Sequence, residues 1–336
     1  MTRGWIVTSG RDFARTGGPT HGLLKVRIRH LVAGALFLLF LVAMVQPVVW
    51  AQGRGAAGAP TPPGQNAKGM RVFIWAGPKT HGPGQHDYPR FLAEWAELLT
   101  ARGAIVDGSL HPPYSADLER TDVVVIYIGD AGYLSETQKA TLDAYVRRGG
   151  GLVSLHDSLC GPDPVYLASV LGGAKKHGEV NFTLEAPVNY AVVDKSDPIM
   201  KDMTDLTIWD EAFFNMTWAK NPGIKVLATN PIYPTRSAGD HKGEVVPQIW
   251  SYEHTVPGGQ PSRAFVWMQG HTYDNFNNWQ IQRTLFRGIA WAAKRPVDEL
   301  VDYVPPVRPA RMGAPGTGIG GPPAAGRGMP PAPAKK

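Results

Sequence analysis

One cysteine, Cys160, is all the thiol chemistry that 336 residues hold. An internal disulfide is thereby excluded, and so is any CxxC metal or redox motif. HExxH is missing too, so metal ligands, if present, must be gathered from separate parts of the chain. Acidic residues are nearly absent from both ends: residues 1–52 carry six Lys/Arg and one acid, and residues 303–336 carry five and none. The net charge of +6 therefore belongs to the ends, because residues 53–302 hold 23 basic and 27 acidic residues. A slightly acidic body lacks the electrostatic footprint of a phosphate-backbone binder, and nucleic acid is not expected as a partner.

What is there begins with a long apolar run, Leu31 to Val49, preceded by Lys25, Arg27 and Arg29. Val49-Trp50-Ala51 places small residues at the outer and last positions of a cleavage site, so residues 1–51 read as a secretory signal cut after Ala51. The run also approaches the ~20 residues that span a bilayer, which leaves a retained anchor as the alternative. Both place the body outside the cytoplasm, with no other membrane association expected. Residues 52–69 are rich in Gly, Ala and Pro and read as a linker; residues 303–336 read as a disordered tail of similar composition. The body, 70–302, holds 43% apolar residues counted over the whole chain, enough for a full-sized core.

Within the body, Arg71 to Gly77 reads as a buried strand, and Tyr88, Phe91, Leu92, Trp95, Leu98 and Leu99 recur at helical spacing up to a stop at Gly103. Asp122 to Ile128 repeats the strand, and Ser135-Glu136-Thr137-Gln138 forms a capping box for a helix to Arg148. Next comes Gly149-Gly150-Gly151-Leu152-Val153-Ser154-Leu155-His156-Asp157-Ser158, a glycine-led apolar strand ending in a histidine and an acid. Alternating strands and helices predict an α/β fold with a mostly parallel sheet and helices on both faces. Beyond Gly173 the strands (180–184, 190–193, 225–229, 245–252 and 263–268) are more polar, and some are expected to be antiparallel edges. Trp279, Gln282, Leu285, Phe286, Ile289 and Ala293 form one face of a closing helix.

Polar residues collect just after these strands: His81 and His86 after the first, His156 and Asp157 after the central one, Asp210 and Glu211 after Trp209, His271 after 263–268. Loops leaving one sheet edge converge, and that edge is where open α/β sheets bind ligands. Imidazoles with a carboxylate suit a divalent metal such as zinc. Rings such as Trp209 stack on sugar faces and amides such as Asn215 and Gln269 bond hydroxyls, so His81, Trp209, Asp210, Asn215 and Gln269 are the expected contacts of a small carbohydrate substrate. His111, His177, His241 and His254, in polar or Pro-rich loops, read as structural. Cys160 beside His156 offers a nucleophile, although nothing in its local sequence depresses its pKa.

As a series, His86-Asp87-Tyr88-Pro89, the glycine-led strand ending in His156, and Trp209-Asp210-Glu211-Ala212-Phe213-Phe214 resemble the ThuA-like (trehalose utilisation) family. Pro247-Gln248-Ile249-Trp250, Arg263, Gly270-His271 and Arg287-Gly288-Ile289-Ala290-Trp291-Ala292 extend the resemblance over roughly residues 70 to 295. It implies a flavodoxin-like, doubly wound fold of the class I glutamine amidotransferase-like superfamily. That superfamily's amidotransferases carry a cysteine nucleophile at the turn after the glycine-led strand, where His156 stands here, so amide transfer is not expected. The resemblance implies instead a pocket of His86, His156, Glu211 and His271 around a divalent metal, and a role in disaccharide catabolism, on keto-glycosides. Catalytic roles then fall to His156 and to Glu211 or Asp157 as general base. A non-catalytic glycan-binding module and a thiol hydrolase using Cys160 are the alternatives.

Overall fold

The computed structural model describes residues 61–304. The apolar run Leu31–Val49, the cut after Ala51 and the tail beyond residue 304 lie outside them. The described end of the Gly/Ala/Pro-rich stretch is tied to the body: the Gly64 amide donates to Asp122, and Arg295 donates to the Gly64 and Asn66 carbonyls. Among the described residues no helix is long and apolar enough to cross a membrane.

Among the described residues twelve strands form in chain order: β1 Arg71–Ala76, β2 Ile105–Ser109, β3 Val123–Tyr127, β4 Gly151–Leu155, β5 Cys160–Gly161, β6 Gly173–Lys176, β7 Ala186–Val192, β8 Leu206–Asp210, β9 Thr217–Trp218, β10 Ile224–Pro231, β11 Val245–His254 and β12 Ser262–Trp267. The helices are α1 Tyr88–Thr100, α2 Ser115–Leu118, α3 Glu136–Arg147, α4 Pro164–Leu171 and α5 Trp279–Ala292. Helix α3 starts as its sequence specifies, with Ser135 and Gln138 bonding each other's backbone amides.

Nine strands make one sheet in the order β2-β1-β3-β4-β12-β11-β10-β7-β8. From β2 to β12 every pair is parallel; from β12 to β8 every pair is antiparallel. The mostly parallel sheet expected from the sequence is therefore corrected to a mixed one. For β11 and β12 the reason lies in the connection, since parallel neighbours need a crossover of about a dozen residues or more and only residues 255–261 join these two. A small second sheet, β5-β6-β9, stands apart.

Alternation along the parallel strands sends side chains to two cores. Val72, Ile74, Val123, Val125, Val153 and Phe265 pack with Phe91, Trp95 and Leu99 of α1 and with Leu285, Phe286 and Ile289 of α5. On the opposite face, Phe73, Trp75, Val124, Ile126 and Leu152 pack with Leu142 and Val146 of α3 and with Leu167 and Leu171 of α4. Gly151 is required where β4 meets the end of α5, because a Cβ there would sit 2.2 Å from the Ala292 carbonyl oxygen. Strand β2 is half-exposed and polar, which is why its sequence did not read as a strand.

Candidate functional site: an imidazole cluster at the strand ends

Strands β1, β4 and β12 lie in the parallel half and end on the same side of the sheet, and each is followed by a histidine of the cluster. His86 comes from the loop after β1, His156 directly follows β4, and His271 follows β12 through Gly270. All three are buried, and one donor nitrogen from each lies within 4.8 Å of the others. His86 Nε2 faces His156 Nε2 at 3.0 Å. Glu211, at the end of β8, places Oε2 3.8 Å from His156 Nε2 and Oε1 3.6 Å from His271 Nδ1. Asp157 Oδ2 stands 3.9 Å from both His86 Nε2 and His156 Nε2.

The backbone is strained where it delivers these groups. Six non-glycine residues among those described have positive φ, and His81, His86, Asp130 and His156 are four of them. Such conformations cost about 1–3 kcal/mol each and persist only where surrounding structure enforces them. The neighbouring loops are held by Asp210, fully buried, which accepts from the amides of Glu211, Gly270, His271 and Thr272 and from Asn275 Nδ2. Three strands separate β8 from β12 in the sheet order, so this carboxylate joins loops that the ladder keeps apart. Burial nevertheless lifts its pKa to about 7.

Proton positions follow from the partners. His156 Nδ1 faces the Met268 carbonyl at 3.3 Å, and a carbonyl only accepts, so Nδ1 carries the proton and Nε2 turns a lone pair to the cluster. Thr80 Oγ1, 3.0 Å from His86 Nδ1, either donates or accepts and so suits either tautomer of His86. His271 Nδ1 is buried without a hydrogen-bond partner. Burial holds all three rings neutral, and together with the neighbouring imidazoles it pushes His86 down to about 2. Glu211 is pushed up to about 8 by burial first and by Asp157 second. Neutral imidazoles with lone pairs converging, one of them an orphaned buried nitrogen, fit a divalent cation.

His86 and His271 line a cleft of about 320 Å³ whose walls include His81, Asp130, Asp157, Lys175, His177, Glu211 and Phe213, and His156 lies fully buried against them. Phe213 stacks on His156 with ring centroids 5.2 Å apart. Of the sequence-predicted residues, His81, His86, His156, Asp157, Glu211 and His271 come together here. Trp209 does not: it is 57% exposed and outside the cleft wall. Asp210 points into the loop amides, and Gln269 is fully buried, with its amide spent on Tyr190, Gln248 and the Glu211 carbonyl. Asn215 bonds Asn181 away from the wall. Those four residues do not line the cleft: the polar groups of Asp210, Gln269 and Asn215 are engaged within the protein and Trp209 faces solvent.

Sequence reasoning missed Lys175, His177, Asp130 and Glu185. Glu185 Oε1 lies 3.5 Å from His271 Nε2 and accepts from Gln85 and Thr272. His177 Nδ1 meets Asp130 Oδ1 at 2.6 Å. Lys175-Lys176-His177 is a short basic run without a spacing signal, and in the small sheet only Lys175 of the three is buried. Cys160 is buried, burial pushes its thiol well up, and its Sγ lies 3.4 Å from Asp157 Oδ1, an arrangement that suppresses the thiolate a nucleophile needs.

The profile of the family described as "ThuA: Trehalose utilisation" matches residues 71–292. A search of curated proteins gave no match. Among solved structures, a ThuA-like protein from Parabacteroides merdae ATCC 43184 is 18% identical, with a TM-score of 0.51 over 67% of this chain and 90% of that one. A ThuA-like protein from Bacteroides uniformis ATCC 8492 is 16% identical, with a TM-score of 0.47 over 71% and 94%. At such identities the likeness is one of fold.

Proposed function

Because the chain belongs to the ThuA (trehalose utilisation) family, we propose that it acts in carbohydrate utilisation as a metal-dependent enzyme on a keto-sugar or glycoside. The observation that carries this reading is the convergence of His86, His156 and His271, three buried neutral imidazoles whose donors lie within 4.8 Å of one another beside Glu211. His86, His156 and His271 would hold the cation, with Glu211 as a fourth ligand or as the base. A bound divalent ion there would polarise a sugar carbonyl or hydroxyl and acidify a water.

The chain's own residues supply the rest. Glu211, raised to about 8 and open to the cleft, exchanges a proton near neutral pH with a group held over the imidazoles. Asp157 raises Glu211 by its charge. Phe213 and Phe182 give the wall the apolar surface on which a sugar ring can rest. The sequence reading of Leu31–Val49 supports action outside the cytoplasm.

Elemental analysis of the purified chain tests the reading together with turnover of a 3-keto-glycoside before and after chelation. One equivalent of divalent metal and chelator-sensitive turnover are expected. Metal-free protein that binds a glycan after exhaustive chelation, with no turnover, would make it a binding module instead.

A further inference from the structure

Lys175 has only 6% of its surface exposed, yet it lines the cleft. Strand β6 fixes it from both sides: Lys175 pairs with Cys160 of β5, and its neighbour Ala174 pairs with Thr217 of β9. Its ammonium lies over the rings of Phe182 and Phe213, 5.2 and 5.4 Å from their centroids. Ring faces attract a cation but accept none of its three N–H bonds in the way an oxygen does. Among the described residues, Lys175 makes no ion pair within 4.0 Å, and no hydrogen bond from its side chain is found.

The acids around it are committed elsewhere. Asp130 holds His177 at 2.6 Å; Glu179 holds Lys176 at 3.0 Å and accepts from Asn181; Asp157 meets Cys160 and stands by His86 and His156; Glu211 stands between His156 and His271. Lys175 is thus a preorganised side chain whose ammonium opens to the cleft with no protein oxygen to receive its protons, a place that water or a ligand oxygen must fill. A neutral hydroxyl would satisfy hydrogen bonds but not the charge; a carboxylate satisfies both, and a charge-assisted bond is the stronger.

We propose that Lys175 is a specificity-determining residue of the cleft, and that the cleft selects a sugar derivative bearing a carboxylate, which the Lys175 ammonium receives. The inference rests on the cleft being the substrate site, and it does not require the metal.

Titration calorimetry on the full chain with methyl β-D-glucuronide and methyl β-D-glucoside tests it, since these pyranosides differ only in a carboxylate against a hydroxymethyl group. The native chain should bind the glucuronide at least tenfold more tightly, and chelation should leave that preference in place. Lys175→Met should erase the preference by weakening glucuronide binding at least tenfold, with circular dichroism and zinc content unchanged. Equal affinities in the native chain, including no binding of either sugar, overturn the proposal, as does a preference that survives Lys175→Met. If the preference disappears on chelation and persists in Lys175→Met, the carboxylate sits on the metal: the proposal then falls and the metal reading stands.

Discussion

His86 and His156, seventy residues apart in sequence, are both buried and point their Nε2 atoms at each other across 3.0 Å. With His156 Nε2 presenting a lone pair, His86 must donate across the gap or share a cation with it. Replacing His156 by Asn, which tolerates positive φ, removes the imidazole with least disturbance of the backbone. His156→Asn should lower zinc affinity by about 100-fold or more, given that even residues supporting a ligand typically matter 10–100-fold. Stoichiometric zinc in that variant by elemental analysis would remove the metal from the proposal.

Glu211→Gln keeps shape and removes the titratable proton. Turnover should fall about 10²–10⁴-fold, the usual worth of a positioned acid or base, while His86, His156 and His271 still retain metal. Steady-state kinetics beside metal analysis separates the two roles, because joint loss would make Glu211 mainly a ligand.

Asp210→Ala leaves four backbone amides without their carboxylate acceptor and the Asn275 amide with only the Trp209 carbonyl. A cost of about 3 kcal/mol in urea unfolding is expected, with faster hydrogen exchange at Gly270, His271 and Thr272. A loss under about 1 kcal/mol would mean that the loops hold without it.

His254 stacks on Tyr252 at 4.4 Å, and both its ring nitrogens are buried without partners. Burial lowers its pKa in the fold, so its contribution is fully present above the unfolded value of about 6.5 and is lost as pH falls through the folded value. His254→Phe should therefore flatten the decline of unfolding free energy between pH 7.5 and 5.5 by roughly 0.5–1 kcal/mol. Parallel pH profiles for variant and parent would count against this origin of acid sensitivity.

Cys160→Ala should leave keto-glycoside turnover within about twofold, since burial disfavours the thiolate. Abolished turnover in a folded, metal-replete variant would restore the thiol hydrolase.

By itself the sequence determined β1, β3 and β4, the centre of the parallel half of the sheet. Buried apolar runs such as Val123–Tyr127 and the Ser135 capping box are local signals, and the glycine-led strand could not carry a side chain at Gly151 against Ala292. It also determined that histidines follow β1, β4 and β12, and the series of motifs from His86 to Ala292 pointed to the family. Tertiary structure alone decided which polar residues share the cleft. Trp209, Asp210, Glu211 and Asn215 sit within seven residues, yet only Glu211 reaches it, because partner choice depends on loops brought in from elsewhere. The antiparallel half and the inward turn of Lys175 were decided there as well. Strand direction and side-chain burial arise from contacts between distant segments, and spacing along the chain does not encode such contacts.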